Sequence, residues 1–133
     1  LLDMGCGTGV LAILAHKLQA KPIVGIDIEE WAYENALENC SLNNIDDIIV
    51  EKGDAQLLEN RSFQIILANI NKNILLQDMK TFAKVLLPEG LLLLSGFFDT
   101  DVDELVKAAS NYGLNYCRHR TKNNWAMIVL QKQ

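Results

Sequence analysis

Asp3, Gly5, Gly7 and Gly9 stand at alternate positions in Leu1-Leu2-Asp3-Met4-Gly5-Cys6-Gly7-Thr8-Gly9, and a second acid, Asp27, follows eighteen positions beyond Gly9. Three glycines so close together make a bend that can take positive φ and that leaves its main chain open to a ligand. A helix starting after Gly9 would offer unpaired N–H groups and a positive dipole end, which favour an anionic or polar group. In an open α/β sheet, an acid at the tip of the second parallel strand is where a ribose hydroxyl pair is held. These residues therefore point to a nucleoside-containing cofactor.

Such a site needs a strand, a turn and a helix beneath it, and the flanking residues supply them. Leu1 and Leu2 begin a short apolar strand, and residues 10–18 read as a helix with Val10, Leu11, Ile13, Leu14 and Leu18 apolar on most sides, so this helix is expected to be well buried. Pro22-Ile23-Val24-Gly25-Ile26 is a second strand ending in Asp27. Glu29 and Glu30 favour the start of the next helix through its dipole, and Ala32, Ala36 and Cys40 recur there at spacings of four, with Tyr33 and Leu37 alongside. Leu42-Asn43-Asn44 ends it and Asp46-Asp47 forms a turn.

Ile48-Ile49-Val50 is a β-branched strand leading to Lys52-Gly53-Asp54-Ala55. Residues 63–68 form a nearly continuous apolar strand, as buried parallel strands do, ending at Asn69-Ile70-Asn71. Leu75, Met79, Phe82 and Leu86 mark the face of the following helix, which Pro88-Glu89-Gly90 terminates before a fifth strand at 91–96. Thr100-x-x-Asp103 reads as a capping box for a helix whose inner face holds Val102, Leu105, Val106 and Ala109, stopped by Asn111-Tyr112-Gly113. Residues 114–120 and 125–131, separated by 121–124, read as an antiparallel hairpin. Alternating strands and helices closed by a hairpin give an α/β fold: a doubly wound, mostly parallel sheet with an antiparallel edge. Ligands of such sheets lie beyond the strand ends at the switch in strand order, so residues 5–9, Asp27, Ile28, Asp54, Ala55 and Asn69 are expected around one crevice.

The 133 residues leave room for one domain with a real core, and 50% hydrophobic with 22% charged residues fits a folded chain. A net charge of −5 supplies no basic field, so direct nucleic-acid binding is not expected, while a basic protein partner is not repelled. No apolar run approaches the roughly 18–20 residues of a membrane span and no signal peptide is visible. Cys6, Cys40 and Cys117 show no C-x-x-C spacing, are odd in number and are read as reduced, partly buried thiols, consistent with a cytoplasmic location. His16 and His119 lack a ligand partner at metal-binding spacing, so no metal is expected. Because the chain begins inside a strand, it is read as a domain whose N-terminal portion lies outside this sequence.

The glycine spacing separates two cofactor classes. The dinucleotide fingerprint G-x-G-x-x-G places its third glycine one residue later than Gly9. The form Asp3-x-Gly5-x-Gly7-x-Gly9 instead resembles the first motif of class I S-adenosylmethionine-dependent methyltransferases. Ala68-Asn69-Ile70, Leu94-Ser95-Gly96, Trp125-Ala126 and Gly25-Ile26-Asp27-Ile28 are together similar to the bacterial methyltransferases of the eleventh large-subunit ribosomal protein. The (Asn/Asp)-Pro-Pro-(Tyr/Phe) motif of methyltransferases acting on adenine or glutamine is replaced here by Asn69-Ile70-Asn71.

The resemblance implies a Rossmann-like sheet of seven strands in the order 3-2-1-4-5-7-6, with strand 7 reversed. It implies that Gly5, Cys6, Gly7 and Gly9 pass the amino-acid part of S-adenosylmethionine, with Asp3 supporting them. Asp27 would accept from the ribose hydroxyls, Ile28 would flank the adenine and Asp54, beside Ala55, would accept from its amino group. Asn69, through its side-chain carbonyl, would orient the acceptor amine or the methionine portion of the cofactor. The implied reaction is methylation of lysine and N-terminal amino groups of a ribosomal protein. The family also carries an N-terminal domain that grips this substrate and a cofactor-contacting threonine in a loop before the first strand, neither of which lies in this sequence. The order of the last strands argues against a nicotinamide oxidoreductase. A methyltransferase of RNA or small molecules, or a cofactor-binding module, are the other readings.

Overall fold

The computed structural model describes every residue from Leu1 to Gln133. In chain order the elements are β1 (Leu2–Met4), α1 (Val10–Lys17), β2 (Ile23–Asp27), α2 (Glu30–Leu42), β3 (Ile48–Lys52), a 3₁₀ turn (Ala55–Leu58), β4 (Phe63–Asn69), α3 (Lys72–Val85), β5 (Leu86–Phe98), a 3₁₀ turn (Asp99–Asp101), α4 (Val102–Ser110), β6 (Leu114–Lys122) and β7 (Trp125–Lys132). The sheet has seven strands in the order β3-β2-β1-β4-β5-β7-β6. Pairing is parallel for β1 with β2, β2 with β3 and β4 with β5, and antiparallel where β7 meets β5 and β6. Both the α/β class and the strand order agree with the sequence reading.

The chain divides into two compact units, Leu1–Leu57 and Leu58–Gln133. In the first, Ala12, Ile13 and Ala15 of α1, Ile23 of β2, Cys40 of α2 and Ile45 and Ile48 near β3 form one apolar cluster. Removing each of its isoleucine side chains from water stabilises the fold by about 1.5–3 kcal/mol. The small residues Ala32, Ala36 and Cys40 bury one face of α2, but Leu37 remains exposed. The expectation of a well-buried α1 is corrected: Val10, Leu14 and Leu18 are 65%, 51% and 73% exposed. A short helix lying on a sheet buries one stripe, and here the small side chains Ala12 and Ala15 occupy it beside Ile13.

In the second unit, α3 buries Leu75, Met79, Phe82 and Ala83, and α4 buries Val102, Leu105 and Ala109. Helix α3 packs on β4 and β5, and α4 on β6 and β7. Along β4, Ile66 and Ala68 are buried while Ile65 and Leu67 are only half-buried. The apolar run therefore serves two unequal faces, of which the more deeply buried alternates with period two.

Three boundaries differ from the sequence reading. Leu86 closes the apolar spacing of α3 yet starts β5, with φ −82° and ψ 130°, and pairs with Phe63. Pro88 bears on this, because it drives Leu87, the residue before it, out of the helical region, so the helix must end by Leu86. Thr100 does not cap α4: residues Asp99–Asp101 make a 3₁₀ turn, and the Asp101 carboxylate accepts from the Phe98 amide at 3.2 Å. The last hairpin turns on Asn123 and Asn124 alone, at φ 52° and 69°. Two successive positive-φ residues form the tight turn whose twist suits an antiparallel pair, and asparagine tolerates that conformation.

Candidate functional site

The bend between β1 and α1 is held from below by main-chain bonds. The amides of Gly5 and Cys6 both donate to the Ile26 carbonyl, at 2.8 and 3.0 Å, and Gly9 donates to the Cys6 carbonyl at 2.8 Å. Gly7 has φ +54°, and a Cβ built there meets nothing within 4 Å. Gly9 has φ +84° and a different neighbourhood, since its Cβ would lie 3.3 Å from that of Ala36. Gly9 thus lets α1 begin close against α2, whereas Gly7 leaves open space above the main chain.

Asp27 faces this bend. One carboxylate oxygen accepts from the Gly7 amide at 2.9 Å, and the other accepts from the Glu29 amide at 3.0 Å. A carboxylate has about four acceptor sites, so two remain for ligand hydroxyls. The Asp27 carbonyl also accepts from the Gly53 amide at 2.9 Å, which ties the end of β2 to the loop carrying Asp54. Asp54 uses one oxygen to accept from the Gln56 amide at 2.9 Å and is exposed. Ile28 is 62% exposed beside Asp27, and Ala55 opens the 3₁₀ turn half-buried.

Asp3 and Cys6 stand apart from these, because both side chains are buried. Asp3 is 1% exposed and accepts from the Ala12 amide, in the first turn of α1, at 3.2 Å. Burial pushes its carboxyl up to about 6, against the lowering effect of the Ala12 bond and with a further push from the Asp27 charge. The Cys6 thiol is raised to about 12, mainly by burial and then by the charges of Asp3 and Asp27, so it stays protonated and inert. Asp3 therefore pins the start of α1, and Cys6 shapes the bend through its backbone. Cys40 is also buried, while Cys117 is exposed on β6, so the reading of partly buried thiols holds for two of the three.

Asn69 lies in the second unit, at the end of β4, exposed and in register with Ser95 of β5. An open pocket of about 510 Å³ surrounds it, lined by Asn69, Ile70, Asn71, Ser95, Gly96, Trp125 and Ala126. The Trp125 ring stacks on Phe98, with centroids 4.6 Å apart and planes at 26°. Asn71 makes the helix cap, its side chain accepting from the Ile74 amide at 3.1 Å, so Asn69 is free of that task. No charged side chain lines this pocket.

Sequence reasoning named Asn69 but assigned no site role to Ser95, Gly96 or Trp125. Their motifs were visible, yet only the registers Asn69 with Ser95 and Phe98 with Trp125 bring them to one place.

The whole chain, residues 1–133, matches the family described as "Ribosomal protein L11 methyltransferase (PrmA)". It is 46% identical over 129 residues to the ribosomal protein L11 methyltransferase of Bacteroides fragilis, covering 96% of this chain and 46% of that protein. It is 50% identical over 128 residues to the protein of that name in Porphyromonas gingivalis, covering 96% of this chain and 44% of the other. The chain thus spans about half the length of the curated relatives it matches. A crystal structure of ribosomal protein L11 methylase from Lactobacillus delbrueckii subsp. bulgaricus superposes with a TM-score of 0.93 at 29% identity, covering 99% of this chain and 69% of that one. With the match running from the glycine bend to the reversed last strand, the chain belongs to the ribosomal protein L11 methyltransferase family.

Proposed function

We propose that Leu1–Gln133 is the S-adenosylmethionine-binding catalytic domain of a protein methyltransferase acting on lysine and N-terminal amino groups of ribosomal protein L11. The cytoplasm is its proposed place of work. The observation that carries this reading is the Asp27 carboxylate bonded to the Gly7 amide, beneath a bend with free space above Gly7. Membership of the family supports this choice of substrate.

The residues of the first unit fit the proposed cofactor. A bare main chain suits a ligand that must approach closely, and a fixed anion with spare lone pairs suits a ribose hydroxyl pair. Gly5, Cys6, Gly7 and Gly9 would hold the amino-acid portion, Asp27 the ribose, and Ile28, Asp54 and Ala55 the adenine. Asp3 acts from beneath by fixing α1. When bound, S-adenosylmethionine supplies a methyl group on a sulfonium that is already a good leaving group.

Direct displacement at such a group asks the protein for alignment and for a neutral amine. A lysine amine has an ordinary pKa of about 10.4, and a carboxylate beside it would raise that value further. The Asn69 pocket has no carboxylate in its lining, so no anionic side chain there pairs with the charged ammonium. The Asn69 side-chain carbonyl accepts one hydrogen bond from the amine and points its lone pair. Release of the proton to water completes the role of the pocket.

Titration calorimetry with S-adenosylmethionine and with NAD tests the cofactor, and predominant NAD binding would overturn it. Incubation with isotope-labelled S-adenosylmethionine and ribosomal protein L11, followed by mass mapping, tests the substrate. Label on other proteins or RNA but not on L11 would reject that part of the proposal.

A further inference from the structure

Gly96 occupies an irregular place in β5. The pairing of β5 with β7 shifts register between Ser95 and Phe97, so Gly96 is the extra residue of a β-bulge. Its φ is +93°, which side chains rarely adopt. Phe97 beyond it is buried and Phe98 is turned onto Trp125. A Cβ built on Gly96 would lie 2.9 Å from the Asn69 side-chain oxygen Oδ1, 2.8 Å from the Ile70 carbonyl oxygen and 3.1 Å from the Ile70 nitrogen. Ile70 cannot yield easily, because its amide donates to the Ser95 carbonyl at 3.1 Å.

We infer that Gly96 is a positioning residue for Asn69: the bulge clears the volume in which Asn69 holds its carboxamide oxygen. The inference rests on the proposed role of Asn69 in orienting the acceptor amine. Ordinary contact begins at 3.4 Å, so any side chain at 96 drives the Asn69 oxygen back by about half an ångström. Gly96 also bounds the reach of residue 69, since a longer side chain carrying the same amide meets the bulge instead of the amine. A misplacement of this order in an aligned displacement lowers turnover by about tenfold or more.

The test is a double-mutant cycle on turnover, read as kcat and KM for ribosomal protein L11, with circular dichroism to verify folding. Asn69→Ala and Gly96→Ala are each expected to lower kcat about tenfold or more, with KM for L11 changed less than threefold. The double variant is expected to lose no more than about threefold beyond Asn69→Ala alone, because both changes remove one function. Multiplying losses in the double variant, or wild-type turnover in Gly96→Ala, would overturn the inference while leaving the role of Asn69 intact. Wild-type turnover in Asn69→Ala would instead defeat the role of Asn69, and this inference with it.

Should Gly96→Ala fail to fold, Asn69→Gln decides the matter, since it keeps the carboxamide and alters only an exposed residue. It is expected to lose turnover as Asn69→Ala does, and near-wild-type kcat for Asn69→Gln would show that position is not set by the bulge.

Discussion

Replacing Asp3 with asparagine isolates the charge buried beneath the glycine bend. The Asp3 carboxyl is raised from its ordinary 3.8 to about 6, first by burial. Between those values the folded protein holds a proton that the unfolded chain has released, so stability falls as pH rises from about 4 to about 6 and then levels off. At about 1.36 kcal/mol per pKa unit, the ionised carboxylate weighs against folding at neutral pH by about 3 kcal/mol. The substituted carboxamide cannot ionise, yet its carbonyl can still accept from the Ala12 amide. Any fixed cost of the asparagine is the same at every pH and cancels when the difference is followed across pH. Urea unfolding of both proteins, monitored by circular dichroism from pH 4 to pH 8, should show the Asp3→Asn variant gaining about 2–3 kcal/mol on the wild type between pH 4 and pH 7. A difference that stays flat over that range would refute the assignment of a raised, desolvated carboxyl to Asp3.

Asp27→Asn presents an amide nitrogen to one of two backbone donors, Gly7 or Glu29, and should weaken S-adenosylmethionine binding by tenfold or more in calorimetry, since hydrogen bonds to charged groups contribute about 1.5–3 kcal/mol. Gly7→Ala strains only the backbone, costing about 1–2 kcal/mol, whereas Gly9→Ala adds a close contact with Ala36 and should lower the melting temperature further. Gly7→Ala should in turn weaken cofactor binding more than its stability loss explains, because its methyl group enters the open space above the bend. In a thiol-reagent titration of the folded protein at pH 8, Cys117 should react first, with Cys6 and Cys40 silent until the protein is unfolded.

Much of this protein was written locally. The spacing of Gly5, Gly7 and Gly9 after an apolar strand specifies a bend of positive-φ residues, because no other side chain takes those angles at so little cost. Strand and helix identity followed from periodicity, and the hairpin at the end set the last strand antiparallel. That Asp27 would stand beside the bend also followed, since an acid at the tip of the strand next to β1 has little choice of place.

What local pattern could not decide were quantities that depend on which neighbour fills a given space. Val10, Leu14 and Leu18 are as apolar as Ile13, but only the stripe of α1 facing the sheet is covered. Leu86 fits the spacing of α3, yet Pro88 and the partner Phe63 draw it into β5. Asp3 and Asp27 look alike as strand-end acids; burial raises the carboxyl of the first to about 6, while the second receives two amides at the surface of the bend. Trp125 and Phe98, 27 positions apart, meet only through the register of β5 with β7, and the bulge at Gly96 clears room for the Asn69 oxygen. Dihedral preference acts within a few residues and is legible in sequence, whereas burial and contact are properties of pairs that only the folded chain brings together.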